Sequence, residues 1–220
     1  MSAITSPRLA AVLSRENFVL RDDLQQDKRA ALRAVVRMFT DFNIPYVITG
    51  GLAVQLYNSG MRPTVDVDVV SLRDPFERLK ESDPWRTYGF ELVFDHCRHI
   101  KLKHLEGNVE VDINVDTRFA RLVEDPIVEW IDGLEVRFCS PFKLALAKLR
   151  TQRSDWPRSP VKRRQDYLDL LGLLAVHPEI ADPLRTDPLT TDEMRQVLDM
   201  ALNELRTGTG DDLPDESVPG

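Results

Sequence analysis

Apolar and polar positions along this chain sort it into short strands and amphipathic helices. Residues 24–43 carry Leu32, Val35, Val36, Phe39 and Phe42 at helical spacing, which predicts a helix with one apolar face. Asn43 ends it, and Pro45 leads into an apolar run, Tyr46-Val47-Ile48, that stops at Thr49-Gly50-Gly51. A short helix follows, with Leu52, Ala53, Leu56 and Tyr57 on one side, broken by Asn58-Ser59-Gly60. Residues 65–70 (VDVDVV) then alternate as a strand. Successive strand side chains point to opposite faces, so Asp66 and Asp68 share one face and Val65, Val67 and Val69 the other.

Further along, Asp74-Pro75 reads as a helix start, and the helix from Phe76 to Ser82 is short. Residues 88–95 and 98–105 read as strands, and Glu106-Gly107-Asn108 as the turn into a third, Val109 to Val115. On that strand the valines and Ile113 share a face, leaving Glu110, Asp112 and Asn114 on the other. Residues 116–133 read as an irregular or helical connection around Trp130, and Leu134–Phe138 as a further strand. Ser140-Pro141 caps a helix with Phe142, Ala145, Leu146 and Leu149 inward and Lys148 at the flank. In the next helix the apolar stripe is read as Leu168, Leu171, Leu174 and Ala175, with Asp166 and Asp169 neighbours on the polar side. Thr190-x-x-Glu193 reads as the capping box of a last helix with Met194, Val197, Leu198, Ala201 and Leu205 inward. Residues 1–23 suggest a helix or arm, and the Gly-, Pro- and acid-rich tail from Thr207 suggests disorder.

Two carboxylates spaced along one strand face repel each other unless a cation lies between them, and a divalent ion with hard oxygen ligands meets that need. A solvated strand face shows the same spacing. The Gly50-Gly51 pair adds to the picture, because a strand-to-helix junction without Cβ atoms lets backbone N–H groups approach an anion. A phosphate cradle beside an acidic strand points to phosphoryl chemistry.

Thr49-Gly50-Gly51-Leu52-Ala53 followed by Arg62-Pro63-Thr64-Val65-Asp66-Val67-Asp68 resembles the signature of the polymerase-beta-like nucleotidyltransferases. It is most similar to the AbiEii-type toxin branch of that superfamily. The resemblance implies an α/β nucleotidyltransferase fold: a small mixed sheet flanked by helices over residues 1–138, then a helical domain over 139–206. It implies that Gly50, Gly51 and Thr64 hold a nucleoside triphosphate and that Asp66 and Asp68 hold Mg²⁺. A third carboxylate is expected on a neighbouring strand, and Val111-Asp112-Ile113 fits, with Glu110 as the alternative in register. Lys148, in Ala147-Lys148-Leu149, is implied on the triphosphate, and Asp166, in the run Arg164 to Asp169, orients Lys148 or the nucleotide. The activity implied is Mg²⁺-dependent nucleotidyl transfer. The acceptor is an RNA such as a tRNA 3′ end, in a toxin held by an antitoxin, or a small hydroxylated molecule.

Composition narrows the setting. A net charge of −7 argues against wholesale nucleic-acid coating, and 42% hydrophobic with 30% charged residues is the balance of a soluble globular protein. No apolar run approaches the ~20 residues that span a bilayer, and the first residues lack a signal-peptide pattern, so a cytoplasmic protein is expected. Cys97 and Cys139 are expected to be reduced structural thiols, and with four scattered histidines they give no zinc spacing. One local reversal stands out. Lys143, Lys148, Arg150, Arg153, Arg158, Lys162, Arg163 and Arg164 face only Asp155, a run that suits either an RNA backbone or a solvated face.

Overall fold

The helical stripe near the start of the chain becomes α1 (Gln26–Asp41), which buries Leu32, Val35, Val36 and Phe39 while Phe42, just past its end, is exposed. The computed structural model describes residues 26–58 and 64–208. The arm expected over 1–23, Arg62-Pro63 and the tail beyond Gly208 lie outside the described residues. After α1 come β1 (Tyr46–Thr49), α2 (Gly50–Tyr57), β2 (Val67–Ser71) and α3 (Arg73–Glu81). Helix α3 starts before Asp74, which lies in its first turn rather than at its cap. Three strands follow, β3 (Phe90–His96), β4 (His99–His104) and β5 (Glu110–Asn114), then a 3-10 turn at Thr117–Val123.

The connection expected over 116–133 also contains a strand, β6 (Ile127–Ile131), on which Trp130 is exposed. It pairs antiparallel with β7 (Leu134–Phe138) across Asp132-Gly133, both at positive φ (51° and 76°). That is the backbone a two-residue hairpin turn demands, and Asp-Gly supplies it cheaply. Four helices end the described chain: α4 (Pro141–Thr151), α5 (Pro160–Val176), α6 (Ala181–Thr186) and α7 (Asp192–Thr207). Ser140 and Ser159 cap α4 and α5 in the same way, each hydroxyl accepting from the backbone N–H three residues on, with proline next in line. The α7 cap is Thr191, one residue past the expected Thr190; Thr190 is buried instead.

The fold is therefore α/β, with a seven-stranded mixed sheet in the order β3-β4-β5-β2-β1-β7-β6. Strand β2 lies at its centre, antiparallel to β1 and parallel to β5. Parallel register sets Asp68 opposite Asp112, and the alternation along β5 buries Val111 and Ile113 on the far side. Tyr46, Phe39, Phe76 and Trp85 make successive ring contacts between α1, the sheet and α3, with Phe39 stacked on Phe76. The Tyr57 hydroxyl donates to the Cys139 carbonyl (2.8 Å), and the Asn58 amide donates to that of Gly172 (3.1 Å), tying α2 to the C-terminal helices. One continuous apolar core runs from Ala31 to Ala201. Among the described residues no helix is long and apolar enough to cross a membrane.

Candidate active site

Asp66, Asp68 and Asp112 each offer a carboxylate oxygen, and these oxygens lie within 4.8 Å of one another. Asp68 is on β2, with Val67 and Val69 buried on the opposite face. Asp66 falls in the bend before the strand, and Val65, expected on the strand face with Val67 and Val69, is 78% exposed at the cleft wall. The apolar partners of the acidic pair are thus Val67 and Val69 alone. Burial, then the neighbouring Asp66 charge, pushes the Asp68 carboxyl up to about 6. Among the described residues neither Asp66 nor Asp68 has an ion-pair partner; Asp66 instead accepts a hydrogen bond from the Thr64 hydroxyl (2.6 Å). Asp112 differs. Burial acts to raise it, but the His99 hydrogen bond (3.1 Å) and the Lys101 charge hold it below the usual carboxylate range. Glu110 points elsewhere: it is exposed and bonded to Lys101 at 2.7 Å.

This donor set fits a divalent cation. Three hard oxygen ligands converge, and the central one has a raised proton affinity, set first by burial and then by the like charge of Asp66, against the opposing charges of Lys148 and Arg158.

Helix α2 opens directly at Gly50, whose φ is +62°. A Cβ there would lie 1.7 Å from Asp68 Oδ2, so only glycine lets the turn close over the carboxylate. At Gly51 a Cβ would meet the Thr64 side chain at 2.8 Å. The N-cap residue, Thr49, makes no side-chain cap bond, which leaves the first N–H groups of α2 to an incoming anion. Behind this turn the Lys28 ammonium donates to the Thr64 carbonyl, and Lys28 is buried there. Burial lowers its pKa, and the Asp66 charge opposes that shift. Nothing in the helical stripe of α1 marked Lys28, because its partner is 36 residues away.

Lys148 and Asp166 come together as the resemblance implies, but inside a tighter cluster. Lys148 is 8% exposed, and its ammonium donates to Asp166 (2.7 Å) and to Asp169 (2.6 Å), carboxylates that are 1% and 2% exposed. Arg158 donates to the other Asp166 oxygen at 2.7 Å. The four charges cancel. Despite burial, which acts the other way in each case, the pairing holds Lys148 above its ordinary value and Asp166 below its own. The buried face of α5 is Asp166, Asp169, Leu170, Leu173 and Leu174, while Leu168, expected inward, is 39% exposed. Both acids are therefore part of the interior.

A cleft of ≈ 760 Å³ gathers these groups: Gly50, Gly51, Thr64, Asp66, Asp68, Asp112, Lys148 and Asp166 all line it. Its walls add Arg98, His99, Asp116, Arg118, Trp156, Arg158 and Lys162, so Lys148, Arg158 and Lys162 are the members of the basic run that line it. Several members of that run are internally bonded. Lys148 and Arg158 are committed to Asp166, Arg163 donates to the carbonyls of Arg153 and Trp156, and Arg153 pairs with Asp155. Arg118 holds Asp116 with a fork of bonds (2.7 to 3.1 Å) and lies 4.6 Å over the Trp156 ring. The thiols do not enter the cleft. Cys139 is buried, and burial pushes its thiol up to about 12; Cys97, expected to be structural, is exposed in the β3–β4 turn.

No family model matches the sequence, and no curated protein does. Among solved structures the chain is similar to an antigenic nucleotidyltransferase-like protein from Paracoccidioides brasiliensis, with 22% identity, a TM-score of 0.49, and coverage of 84% of this chain and 89% of that one. It is also similar to ANT(2")-Ia in complex with adenylyl-2"-tobramycin, at 14% identity, a TM-score of 0.49, and coverage of 80% and 98%. A third is JHP933 from Helicobacter pylori, at 18% identity, a TM-score of 0.42, and coverage of 86% and 96%. At such identities what this chain does has to be read from its own residues.

Proposed function

We propose that the protein is a nucleotidyltransferase that moves a nucleoside monophosphate from an NTP to a hydroxyl acceptor. One observation carries the reading: three converging carboxylates lie directly beneath an uncapped helix N-terminus at Gly50-Gly51. Asp66, Asp68 and Asp112 are the residues that would hold Mg²⁺. Bound there, Mg²⁺ supplies charge neutralisation and Lewis-acid activation of the α-phosphate.

The chain's own groups divide the remaining work. Backbone N–H groups of Gly50 and Gly51 take the β- and γ-phosphates, and Thr64 braces both Gly51 and Asp66. Lys148 spends two of its three donors on Asp166 and Asp169, which fixes the ammonium and leaves one N–H for the phosphates. Asp112 takes the proton of the attacking hydroxyl as the new O–P bond forms; the α–β bridging P–O bond breaks and pyrophosphate leaves. His99 and Lys101 hold Asp112 ionised for that role.

For the acceptor we favour RNA, such as a tRNA 3′ end, which makes the protein the toxin partner of an antitoxin. The support is the cationic and aromatic rim of the cleft, Arg98, Arg118, Trp156 and Lys162, together with the motif resemblance. The test is incubation with labelled NTPs and total RNA, beside a panel of small hydroxylated molecules. Label entering RNA is the expected result. Label entering only a small molecule would leave transfer standing and overturn the RNA acceptor. An inactive nucleotide-binding module would label neither.

A further inference from the structure

The 3-10 turn Thr117–Val123 and helix α4 enclose a second pocket that the chemistry above does not use. It is small, ≈ 30 Å³, and has Arg118, Arg121, Lys143 and Arg150 around an apolar base that includes Phe119 and Leu146. That volume is room for about two waters, and so for the two non-bridging oxygens of a backbone phosphate. Arg118, Phe119, Leu122 and Ala147 line both this pocket and the main cleft, so the two adjoin.

Two of these cations are matched, Arg118 by Asp116 and Lys143 by Asp125 at 3.9 Å, and two are matched poorly. Arg150 donates to the Arg118 carbonyl (2.6 Å) but has no carboxylate within ion-pair distance among the described residues. Burial, then the charges of Arg118 and Arg153, hold it below the usual arginine value, with Arg121 adding to them and Asp116 opposing. Arg121 is more than half exposed and reaches Asp187 only at 4.0 Å. Aromatic faces lie alongside: Arg118 is over Trp156, and Arg150 is 5.9 Å from the Phe119 centroid. An arginine without a carboxylate partner (Arg150) and a half-exposed one held only at 4.0 Å (Arg121), set beside aromatic rings, suit a polynucleotide, which brings phosphates and flat bases together. An acidic peptide would bring the charge but not the stacking.

We propose that this pocket docks a backbone phosphate of the acceptor RNA, holding the strand while its terminal hydroxyl reaches Asp112. The proposal rests on the reading of the main cleft as a nucleotidyl-transfer site, and it adds the residues that recognise the acceptor. None of Arg118, Arg121 or Arg150 was assigned to the nucleotide or the metal.

The test is fluorescence anisotropy with a short labelled single-stranded RNA over a range of salt, for wild type, Arg121→Gln and Arg150→Gln. Mg·ATP affinity is measured on the same preparations. Each substitution is expected to weaken RNA binding about tenfold and to lower the salt slope by ~0.7, the single-strand value per phosphate. Mg·ATP affinity should not change. Arg121→Gln, at an exposed side chain, keeps the test meaningful if Arg150→Gln fails to fold. RNA binding unaltered by either change overturns the proposal. So does displacement of the RNA by poly-glutamate at equal charge, which would mark an acidic-protein surface. RNA binding that needs the arginines in a protein unable to bind Mg·ATP supports the pocket and overturns the transfer reading. Mg·ATP binding without RNA binding does the reverse.

Discussion

Gly50 and Asp68 are in such close register that a Cβ on the glycine would lie 1.7 Å from the carboxylate oxygen. The left-handed turn and the acid it covers are therefore one device. Gly50→Ala should cost ~1–3 kcal/mol from backbone strain alone, and it must also displace Asp68. A fall of roughly 5 °C in Tm is expected for a chain of this length, with loss of Mg²⁺-induced stabilisation. Unchanged melting together with unchanged Mg²⁺ response would show that the turn tolerates a side chain.

Asp68 sets a pH dependence. Its folded-state value, about 6, lies above the ordinary 3.8, so between them the folded chain holds a proton the unfolded chain has lost. Stability then falls as pH rises through that window, by on the order of 3 kcal/mol at 1.36 per unit. With a chelator present, Asp68→Asn should melt above wild type at pH 7.5, and the gap should shrink at pH 4.5. Other groups titrate in both proteins, so the difference isolates Asp68. Added Mg²⁺ should raise the Tm of wild type and leave the variant where it is. A variant that melts lower than wild type at pH 7.5 would mean that the carboxylate is bonded structurally.

Lys148 has a structural debt as well as a proposed catalytic one. Lys148→Met leaves Asp169, 2% exposed, with only the Gln165 amide (3.0 Å) among the described residues, while Asp166 keeps Arg158. Uncompensated buried charge costs ~3–5 kcal/mol, and adding Asp169→Asn should recover a substantial part of that. Denaturant midpoints of the single and double variants give the coupling directly. A single variant within about 1 kcal/mol of wild type would show that the cluster is solvated.

Much of this architecture was legible from spacing. Alternation along residues 109–115 placed Asp112 opposite a buried Val111 and Ile113, and Gly50-Gly51 marked the turn that covers Asp68. What failed did so for physical reasons. On α5 the leucines fit two helical phases, and the phase with Leu168 inward leaves the acids in water. The adopted phase buries Asp166 and Asp169 because Lys148 and Arg158, on other segments, neutralise them. Strand β6 was missed although Asp132-Gly133, a strong hairpin signal, lay beside it. Charge in sequence says nothing of pairing: within the basic run Arg153 bonds to Asp155, Arg158 to Asp166 and Arg163 to carbonyls, while Lys162 lines the cleft and Arg150 the adjoining pocket. Arg98, Arg118 and Lys28 reach the site from elsewhere in the chain, and no local pattern announces them.

The central claim is that bond breakage occurs between the α- and β-phosphates at a site built on Asp66, Asp68 and Asp112. It is tested most directly by parallel reactions with NTPs labelled at the α- or the γ-phosphate, with Mg²⁺ and RNA, for wild type and for Asp68→Asn. Label should enter the acceptor only from the α-position, with γ-label released as pyrophosphate, and transfer should vanish in Asp68→Asn while the variant stays folded. Acceptor labelled from the γ-position, or transfer undiminished in Asp68→Asn, would contradict the account.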